Sequence, residues 1–472
     1  MRVEHDFLGE MELEDSLYYG IQTVRGMRAS RVTGHTYGQD NKNLIRSLAT
    51  IKKAAALANH QVGGLDKVRA DAIVAACDEV LAGDFYDQFP IDLITGGGGI
   101  SLHMDMNEVL ARRASELANG ITIHPNTHVN MGQSTNDVLP SAMLLATYGD
   151  LQTVIQVVQD LADVVEEKAQ EWADVVKLGR TCLQDAVPLT LGQELSGWHS
   201  FLLRQKTQLI ECSQHCLVLP LGATAVGTGA GALPGFAEAV YPILSRLCDV
   251  TISPVDNYFD GLQYSDGYVR VSAALKALAC GISKMASDLR LLSSGPRGGL
   301  GEITLPAILP GSSIMPGKIN PVVPELMIQL YFLICGNDVA VTLAAERGEL
   351  DLNVWEAVTS KCISESCRLL SQGLPIFADE CIRGMQANAA HCREQAERSA
   401  AVASIVSAVF GYDVGSDIAR SALETGKKIK EIVVERGLLT EERAEKLLDP
   451  MLMTDGVKMA EMIDQERRAL HR

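Results

Sequence analysis

The sequence predicts an all-α fold. Three observations support this prediction. Five long segments carry apolar residues at helical spacing, glycine and proline are concentrated between those segments, and aromatic residues make up only 5% of the 472-residue chain. The 47% hydrophobic content is typical of a globular protein. A net charge of −18 excludes a nucleic-acid-binding protein, because phosphate groups would be repelled.

Residues 1–136 alternate short helical segments with glycine-rich turns, and they are predicted to form an N-terminal helical domain that carries site loops. Apolar periodicity is clear over residues 44–61 and 67–82. The first residues lack the apolar core of a signal peptide, and no run of about 18 consecutive apolar residues is present. A soluble, cytoplasmic protein without membrane contact is therefore expected.

Residues 137–392 contain the long helical segments and are predicted to form a central helical bundle. The segments with apolar residues at intervals of three and four are residues 139–174, 189–219, 267–292, 322–345 and 353–372. Two stretches, 327–334 and 339–345, are apolar nearly all round. One neighbouring helix cannot cover such a surface, so burial by partner subunits is expected.

Residues 393–472 form shorter and more charged segments, such as 441–448, and are predicted to form a small C-terminal helical domain. The 11 cysteines are scattered, without a CxxC pair or a metal-type spacing to histidine. We expect most of them to be buried thiols in a reducing compartment. Neither a metal site nor a cofactor is predicted.

Four segments interrupt the helical pattern with glycine and small hydroxyl residues, each next to an end of a long helix. They are residues 96–101, 132–137, 179–185 and 311–321. Backbone N–H groups at helix starts, hydroxyls, amides and basic side chains are donors that suit carboxylates. The residues alone therefore predict an anion pocket assembled from distant segments. Taken singly, residues 134–137 fit a helix N-cap equally well, and residues 96–99 fit an ordinary turn.

The segment at 311–321, Gly-Ser-Ser-Ile-Met-Pro-Gly-Lys-Ile-Asn-Pro, is almost identical in sequence to the signature loop of the aspartase/fumarase superfamily, which it therefore resembles. We call it the signature loop. Residues 132–137 and 179–194 resemble two further motifs of that family. Residues 221–229 and 288–297 are most similar to the aspartate ammonia-lyases within it. The resemblance covers essentially the whole chain.

This resemblance implies a homotetramer with a core of about 20 helices, in which loops from three subunits build each active site. It also implies a small amino-acid substrate, no cofactor and a reaction by anti elimination of an amine or of water. Ser312 is implied to be the general base. A neutral serine is a poor base, so the reactive form would be the alkoxide, which backbone N–H groups and a positive charge must stabilise. Lys318, on the same loop, is the catalytic residue that would supply this charge.

The resemblance assigns substrate-binding roles to positions in all four segments and to one position beyond them. The implied anchors of the carboxylate beside the amine are Lys318, Asn320 and Thr181. The implied donors to the far carboxylate are Ser134, Thr135 and Ser313. The remaining implied site residues are Ile100, Ser101, Asn136, which would hold the amine, Cys182, Met315 and Trp355.

Three of these positions depart from the aspartase pattern. Ile100 replaces a threonine donor, Cys182 replaces a histidine or glutamine, and Trp355 stands where methionine is more common. One interpretation is neutral drift. The other is a pocket rebuilt for a β-substituent that is not a carboxylate, since a buried carboxylate beside Ile100 with one donor fewer would lose about 1–3 kcal/mol. Trp355 would then face a quaternary ammonium group.

The functional hypothesis is a carbon–nitrogen lyase. L-Aspartate, giving fumarate and ammonia, is the substrate that the family resemblance favours. The alternative is an ergothionase-type lyase that releases trimethylamine from ergothioneine. A fumarate hydratase is less favoured because Cys182 replaces the histidine on which fumarases depend. A catalytically inactive structural homologue is disfavoured because five implied site residues are intact, namely Ser312, Lys318, Asn320, Thr181 and Asn136.

Overall fold

The computed structural model describes residues 1–470, and it confirms the predicted all-α fold. The elements of the first part are β1 (Arg2–Asp6), β2 (Gly9–Leu13), α1 (Ile21–Ala29), α2 (Tyr37–Asp40), α3 (Lys42–Gln61), α4 (Lys67–Ala82) and α5 (Ile100–Leu117). The antiparallel hairpin of β1 and β2 pairs Arg2 with Leu13. The hairpin was not predicted from the sequence, although residues 10–13, Glu-Met-Glu-Leu, alternate between polar and apolar side chains, a pattern typical of a strand.

The middle of the chain contains the long helices, separated by two-residue strands. These elements are α6 (Thr135–Glu171), β3 (Val176–Lys177), β4 (Arg180–Thr181), β5 (Gln184–Asp185), β6 (Leu189–Thr190), α7 (Leu191–His215), β7 (Val218–Leu219), α8 (Phe236–Cys248), β8 (Ser253–Pro254), α9 (Tyr258–Gln263), α10 (Asp266–Leu292), β9 (Ile303–Thr304), α11 (Val322–Glu346), α12 (Glu356–Phe377) and β10 (Gln386–Ala387). All five predicted long helices are present, as α6, α7, α10, α11 and α12.

Helix α6 begins at Thr135, four residues before the predicted start. The reason is local. Ser134 donates its backbone N–H to Asp137 Oδ1 at 2.9 Å, and Ser134 Oγ accepts from the backbone N–H of Asn136 at 3.3 Å. These bonds satisfy N–H groups that the first turn of a helix leaves unpaired, so the helix starts ahead of Pro140.

The last part of the described chain consists of short helices. They are α13 (Ala389–Arg398), α14 (Ala403–Phe410), α15 (Tyr412–Thr425), α16 (Ile429–Glu435), α17 (Glu441–Leu447) and α18 (Gly456–Leu470). Buried apolar side chains from Val402 to Ile463 form a hydrophobic core of their own here. That core supports the predicted small C-terminal domain. The three-domain division at 136/137 and 392/393 stays a proposal.

Backbone contacts divide the chain into two units. The first unit consists of residues 1–156, 205–279 and 330–372, and the second unit consists of 157–204, 280–329 and the chain from 373 onward. In the first unit, α3 packs between α4 and α8, and α5 packs against α1 and α4.

Helix α11 is the most apolar of the long helices. By length and composition it could cross a membrane, a property that buried helices of soluble proteins share, and 28% of its most apolar window is buried within the chain. Large side chains on it remain open to solvent, namely Phe332, Leu333, Val339 and Leu343. The apolar faces noted in the sequence are therefore largely uncovered in one chain.

Candidate active site

The glycine loop before α5 lies in the first unit and contacts two other candidate segments. Gly97, Gly98 and Gly99 all have positive φ angles, a conformation that favours glycine. A Cβ atom on Gly99 would lie 2.0 Å from the Leu139 side chain of α6, and one on Gly98 would lie 3.7 Å from Val354. The structure therefore brings the loop next to the start of α6 and to the segment before α12.

Ile100 and Ser101 form the first turn of α5. The Ile100 side chain is 42% exposed, and it adds an apolar surface beside the glycine loop where the family pattern has a hydroxyl donor. Ser101 is partly buried, and a Cβ atom on Gly26 of α1 would lie 2.6 Å from its Oγ. The hydroxyl of Ser101 is therefore turned towards α1.

The start of α6 is held in place by Asp137. This buried carboxylate accepts backbone N–H groups from Ser134 at 2.9 Å, Gly222 at 2.9 Å and Thr224 at 3.0 Å. Burial raises the pKa of Asp137, and the three N–H donors oppose that shift. Asn136 donates its amide N–H to the Ala225 carbonyl at 2.8 Å, which leaves its Oδ1 available to accept from an ammonium group.

Thr135 is the end of a buried hydrogen-bonded chain that the sequence analysis did not identify. Lys52 Nζ lies 2.7 Å from His103 Nε2, and His103 Nδ1 lies 2.7 Å from Thr135 Oγ1. The signal for Lys52 was present in the sequence. It is a lysine on the apolar stripe of α3, where Leu44 and Leu48 precede it at intervals of four residues.

Trp355 precedes α12 and is 42% exposed. Its indole N–H donates to the Arg347 carbonyl at 2.8 Å, and its backbone N–H donates to Asn353 Oδ1 at 3.0 Å. These bonds fix the edge of the indole ring while part of the ring stays open to solvent. The next residue, Glu356, is buried, and within residues 1–470 neither carboxyl oxygen has a hydrogen-bond partner.

The stability of the protein should depend on pH through Glu356. Burial raises the pKa of this carboxyl from 4.5 to about 7, so the folded chain holds a proton there that the unfolded chain releases. Stability should therefore fall by about 3 kcal/mol as the pH rises from 4.5 through 7. Melting temperatures of the wild type and of Glu356→Gln across this range would measure the effect.

The Glu356→Gln chain should lose this decline, because a glutamine does not titrate. Glu380→Gln, at an exposed glutamate, is the matched control and should keep it. Parallel pH profiles for the wild type and Glu356→Gln would contradict the assignment.

In the second unit, Thr181 and Cys182 lie on a tight hairpin of β4 and β5. The two turn residues, Cys182 and Leu183, both have positive φ angles, +53° and +58°. Two-residue turns of this kind favour Asn-Gly, so side chains at both positions are strained. Both Thr181 and Cys182 are exposed, so the hairpin presents them to solvent.

The base of this hairpin is held by a buried ion-pair network. Arg180 donates to Glu302 Oε1 at 2.7 Å and to Gln395 Oε1 at 3.0 Å. The Glu302 side chain is fully buried, and Lys177 Nζ lies 3.1 Å from its other oxygen and 2.7 Å from Glu194. This network fixes the strand from which Thr181 projects.

The signature loop is closed at its ends by backbone contacts. The backbone N–H of Gly311 donates to the Lys318 carbonyl at 2.8 Å, and the amide of Asn320 donates to the Gly311 carbonyl at 2.9 Å. A Cβ atom on Gly311 would lie 2.7 Å from the backbone nitrogen of Asn320. Only glycine allows this approach, so close packing of the loop ends explains Gly311.

Within the signature loop, the Ser312 hydroxyl oxygen accepts two backbone N–H groups. They come from Ile314 at 3.2 Å and from Met315 at 3.0 Å. The side chains of Ser313, Met315 and Lys318 are exposed. Over residues 1–470, no hydrogen bond or ion pair joins the signature loop to the β4–β5 hairpin.

The predicted site residues thus fall into two groups within one chain. The group in the first unit is Ile100, Ser101, Ser134, Thr135, Asn136 and Trp355. The group in the second unit is Thr181, Cys182, Ser312, Ser313, Met315, Lys318 and Asn320. Among the residues that the structure describes, no group of three or more His, Cys, Asp or Glu side chains could hold a metal ion.

Comparison with known families identifies the chain. Residues 9–336 match the family described as Lyase, and residues 403–455 match the family described as Fumarase C C-terminus. The chain belongs to the aspartase/fumarase superfamily. This result confirms the resemblance seen in the signature loop.

Members of this superfamily resemble the chain over nearly its full length. The aspartate ammonia-lyase of Bacillus subtilis (strain 168) is 43% identical over 470 residues, which are 98% of each chain. The aspartate ammonia-lyase of Escherichia coli (strain K12) is 40% identical and covers 93% of each. A class II fumarate hydratase from Halobacterium salinarum is 42% identical over 96% of this chain and 97% of its own.

Solved structures of the superfamily share the fold. The fumarate lyase:delta crystallin from Brucella melitensis, bound to cobalt, has a TM-score of 0.94 at 40% identity and covers 96% of this chain and 99% of its own. The class II fumarase from Schistosoma mansoni has a TM-score of 0.92 at 35% identity, with the same coverage. The chain is therefore an enzyme, an ammonia-lyase of the aspartase/fumarase superfamily.

Proposed function

We propose that the enzyme removes ammonia from L-aspartate by anti elimination, giving fumarate, with Ser312 as the base. The environment of Ser312 carries this proposal. Two backbone N–H groups point at its oxygen, and such donors stabilise the negative charge of an alkoxide. The same four-carbon substrate is named for several of the 40%-identical relatives.

In the proposed reaction, Ser312 removes a proton from the carbon beside the far carboxylate. The charge that develops is delocalised into that carboxylate, to which Ser134, Thr135 and Ser313 would donate hydrogen bonds. Breakage of the carbon–nitrogen bond on the opposite side then expels ammonia.

The other carboxylate and the amine need their own anchors. Lys318, Asn320 and Thr181 would bind the carboxylate beside the amine. The Asn136 amide N–H donates to the Ala225 carbonyl, so the amide oxygen is the atom that would accept from the amine. We assign these roles because each residue occupies a position of the family motif and has a polar group free for the substrate.

We also propose that the active enzyme is a homotetramer in which loops from three subunits complete each site. The uncovered apolar face of α11 supports this proposal, because such a surface is rarely exposed in a soluble protein. A sedimentation mass equal to that of one chain would contradict it. The 11 free cysteines support a reducing, cytoplasmic location.

A second candidate is an ergothionase-type elimination of trimethylamine. Two exposed side chains in the first unit favour it. Ile100 adds an apolar surface beside the glycine loop, and the Trp355 ring is open enough to meet a quaternary ammonium group. This substrate keeps the carboxylate beside the amine and replaces the far carboxylate by a conjugated ring, which also absorbs carbanion charge.

Ultraviolet absorbance distinguishes these candidates. The purified enzyme would be mixed in parallel with L-aspartate, ergothioneine and L-malate, and the conjugated product would be followed at its own wavelength. We expect fumarate from L-aspartate. Product from ergothioneine alone would replace the proposal by the second candidate, and product from L-malate alone would identify a hydratase.

A further inference from the structure

The buried chain from Lys52 to Thr135 lies in the first unit and is fully hydrogen-bonded at Lys52. The three ammonium hydrogens of Lys52 have three partners, which are His103 Nε2 at 2.7 Å, Asn130 Oδ1 at 3.0 Å and Gln133 Oε1 at 2.9 Å. Lys52 is 0% exposed and His103 is 1% exposed. No carboxylate is hydrogen-bonded to Lys52, so all three of its hydrogen-bond acceptors are neutral.

The charge state of Lys52 sets the tautomer of His103. When Lys52 is an ammonium group, it can only donate, so His103 Nε2 must accept and the ring proton sits on Nδ1. That Nδ1–H then donates to Thr135 Oγ1. The hydroxyl hydrogen of Thr135 has no acceptor within the part of the chain that the structure describes, so it is free for a ligand.

A neutral Lys52 permits the opposite arrangement. Its nitrogen can accept a hydrogen bond from the Nε2–H group of the other His103 tautomer, and Nδ1 then accepts a hydrogen bond from the Thr135 hydroxyl. In that state, Thr135 presents only lone pairs to a ligand, which repel a carboxylate. The protonation of one buried lysine therefore decides whether Thr135 is a donor.

We infer that Lys52 is a positioning residue that, as an ammonium group, keeps the Thr135 hydroxyl hydrogen available to the substrate carboxylate. This inference rests on the proposed function, in which Thr135 donates to that carboxylate. Lys52 does not touch the substrate. It acts through His103, and its effect is to set the direction of a hydrogen bond.

The groups around Lys52 allow its charge to change near neutral pH. Burial lowers the pKa of Lys52 to about 7, and the negative charge of Asp137 on α6 opposes that shift. Cys77 on α4 stays a neutral thiol, because burial raises its pKa well above the usual range. Burial, and to a smaller extent the charge of Lys52, hold the pKa of His103 well below its usual range, so the ring stays neutral. On α8, the Tyr241 hydroxyl donates to backbone carbonyl groups, so it is not a hydrogen-bond partner of Lys52.

Calorimetric binding of succinate tests this inference. Succinate is a four-carbon dicarboxylate that cannot eliminate, and titrations in buffers of different ionisation enthalpy report the protons taken up on binding. Below the pKa of Lys52, uptake should be close to zero. It should rise through about pH 7 and approach one proton per site, because binding recharges Lys52.

Three variants separate this mechanism from a structural role. Lys52→Met should bind succinate about 10- to 100-fold more weakly and without proton uptake. Thr135→Val should lose the uptake although Lys52 is present, which keeps the test valid if Lys52→Met does not fold. Lys53→Met is the matched control, since Lys53 pairs with Asp78 instead, and it should leave both affinity and uptake unchanged.

Each other outcome is decisive. Binding without proton uptake in the wild type would overturn the role of Lys52 and leave the proposed function intact. Full uptake in Thr135→Val would mean that the dianion attracts the proton through space, which also overturns the relay. If the wild type does not bind succinate, the proposed substrate class is wrong and the inference falls with it.

Discussion

Replacement of Ser312 by alanine should reduce kcat by about 10²- to 10⁴-fold, the range typical for loss of a general base. The reason is that the Ser312 oxygen accepts hydrogen bonds from two backbone N–H groups of the signature loop, which would stabilise its alkoxide form. The change should leave stability within about 1 kcal/mol, because the loop is exposed and its ends stay closed through Gly311 and Asn320. Initial rates with L-aspartate and a melting curve would measure both effects.

Ser200→Ala is the matched control for this prediction. Ser200 is an exposed serine on α7 whose hydroxyl donates to the Ser196 carbonyl at 2.9 Å. It should show wild-type rates. A Ser312→Ala enzyme with an unchanged rate would show that another group takes the proton.

Replacement of Arg180 by methionine should destabilise the protein by about 3 kcal/mol or more, since it leaves the fully buried Glu302 with one cation fewer. Lys177 remains 3.1 Å from Glu302, but it also serves Glu194. Activity should fall as well, because Arg180 precedes Thr181 on the same strand. Denaturant midpoints would measure the loss of stability.

Two further variants separate a buried charge from general damage to the hairpin. Arg180→Met combined with Glu302→Gln should recover much of the lost stability, because no unpaired carboxylate remains. Arg393→Met removes an exposed pair with Asp449 and should change stability by less than about 1 kcal/mol. Equal losses in the single and double variants would contradict the buried-charge explanation.

The fold could be predicted from sequence because its long helices are strongly periodic. Helix α10 differs from the predicted segment by one residue at its start, and α4 matches at both ends. Helix starts were less accurate where a cap decides them, as at Ser134. The β1–β2 hairpin was missed because five-residue strands give a weak signal beside helices of over 20 residues.

The candidate site was predictable only where one motif holds all the information. The signature loop identified Ser312 as a candidate base. The two N–H groups that donate to its oxygen could not be predicted, because they depend on the loop conformation. The apolar stripe of α3 marks Lys52 as a lysine on a buried face, but its role depends on His103 and Asn130, which lie 51 and 78 positions away along the chain. The raised pKa of Glu356 depends on its burial, and a single sequence does not show which distant residues bury a side chain.

The closure of the signature loop has a mechanical consequence. Two hydrogen bonds join Gly311 to Lys318 and Asn320, so the residues between them form a ring that cannot open in the middle without breaking those bonds. Ser312 and Lys318 therefore lie in one closed segment, and a displacement of Lys318 is transmitted to Ser312. With the roles proposed above, a substrate carboxylate that binds Lys318 would also position the base, and a molecule without that carboxylate would not.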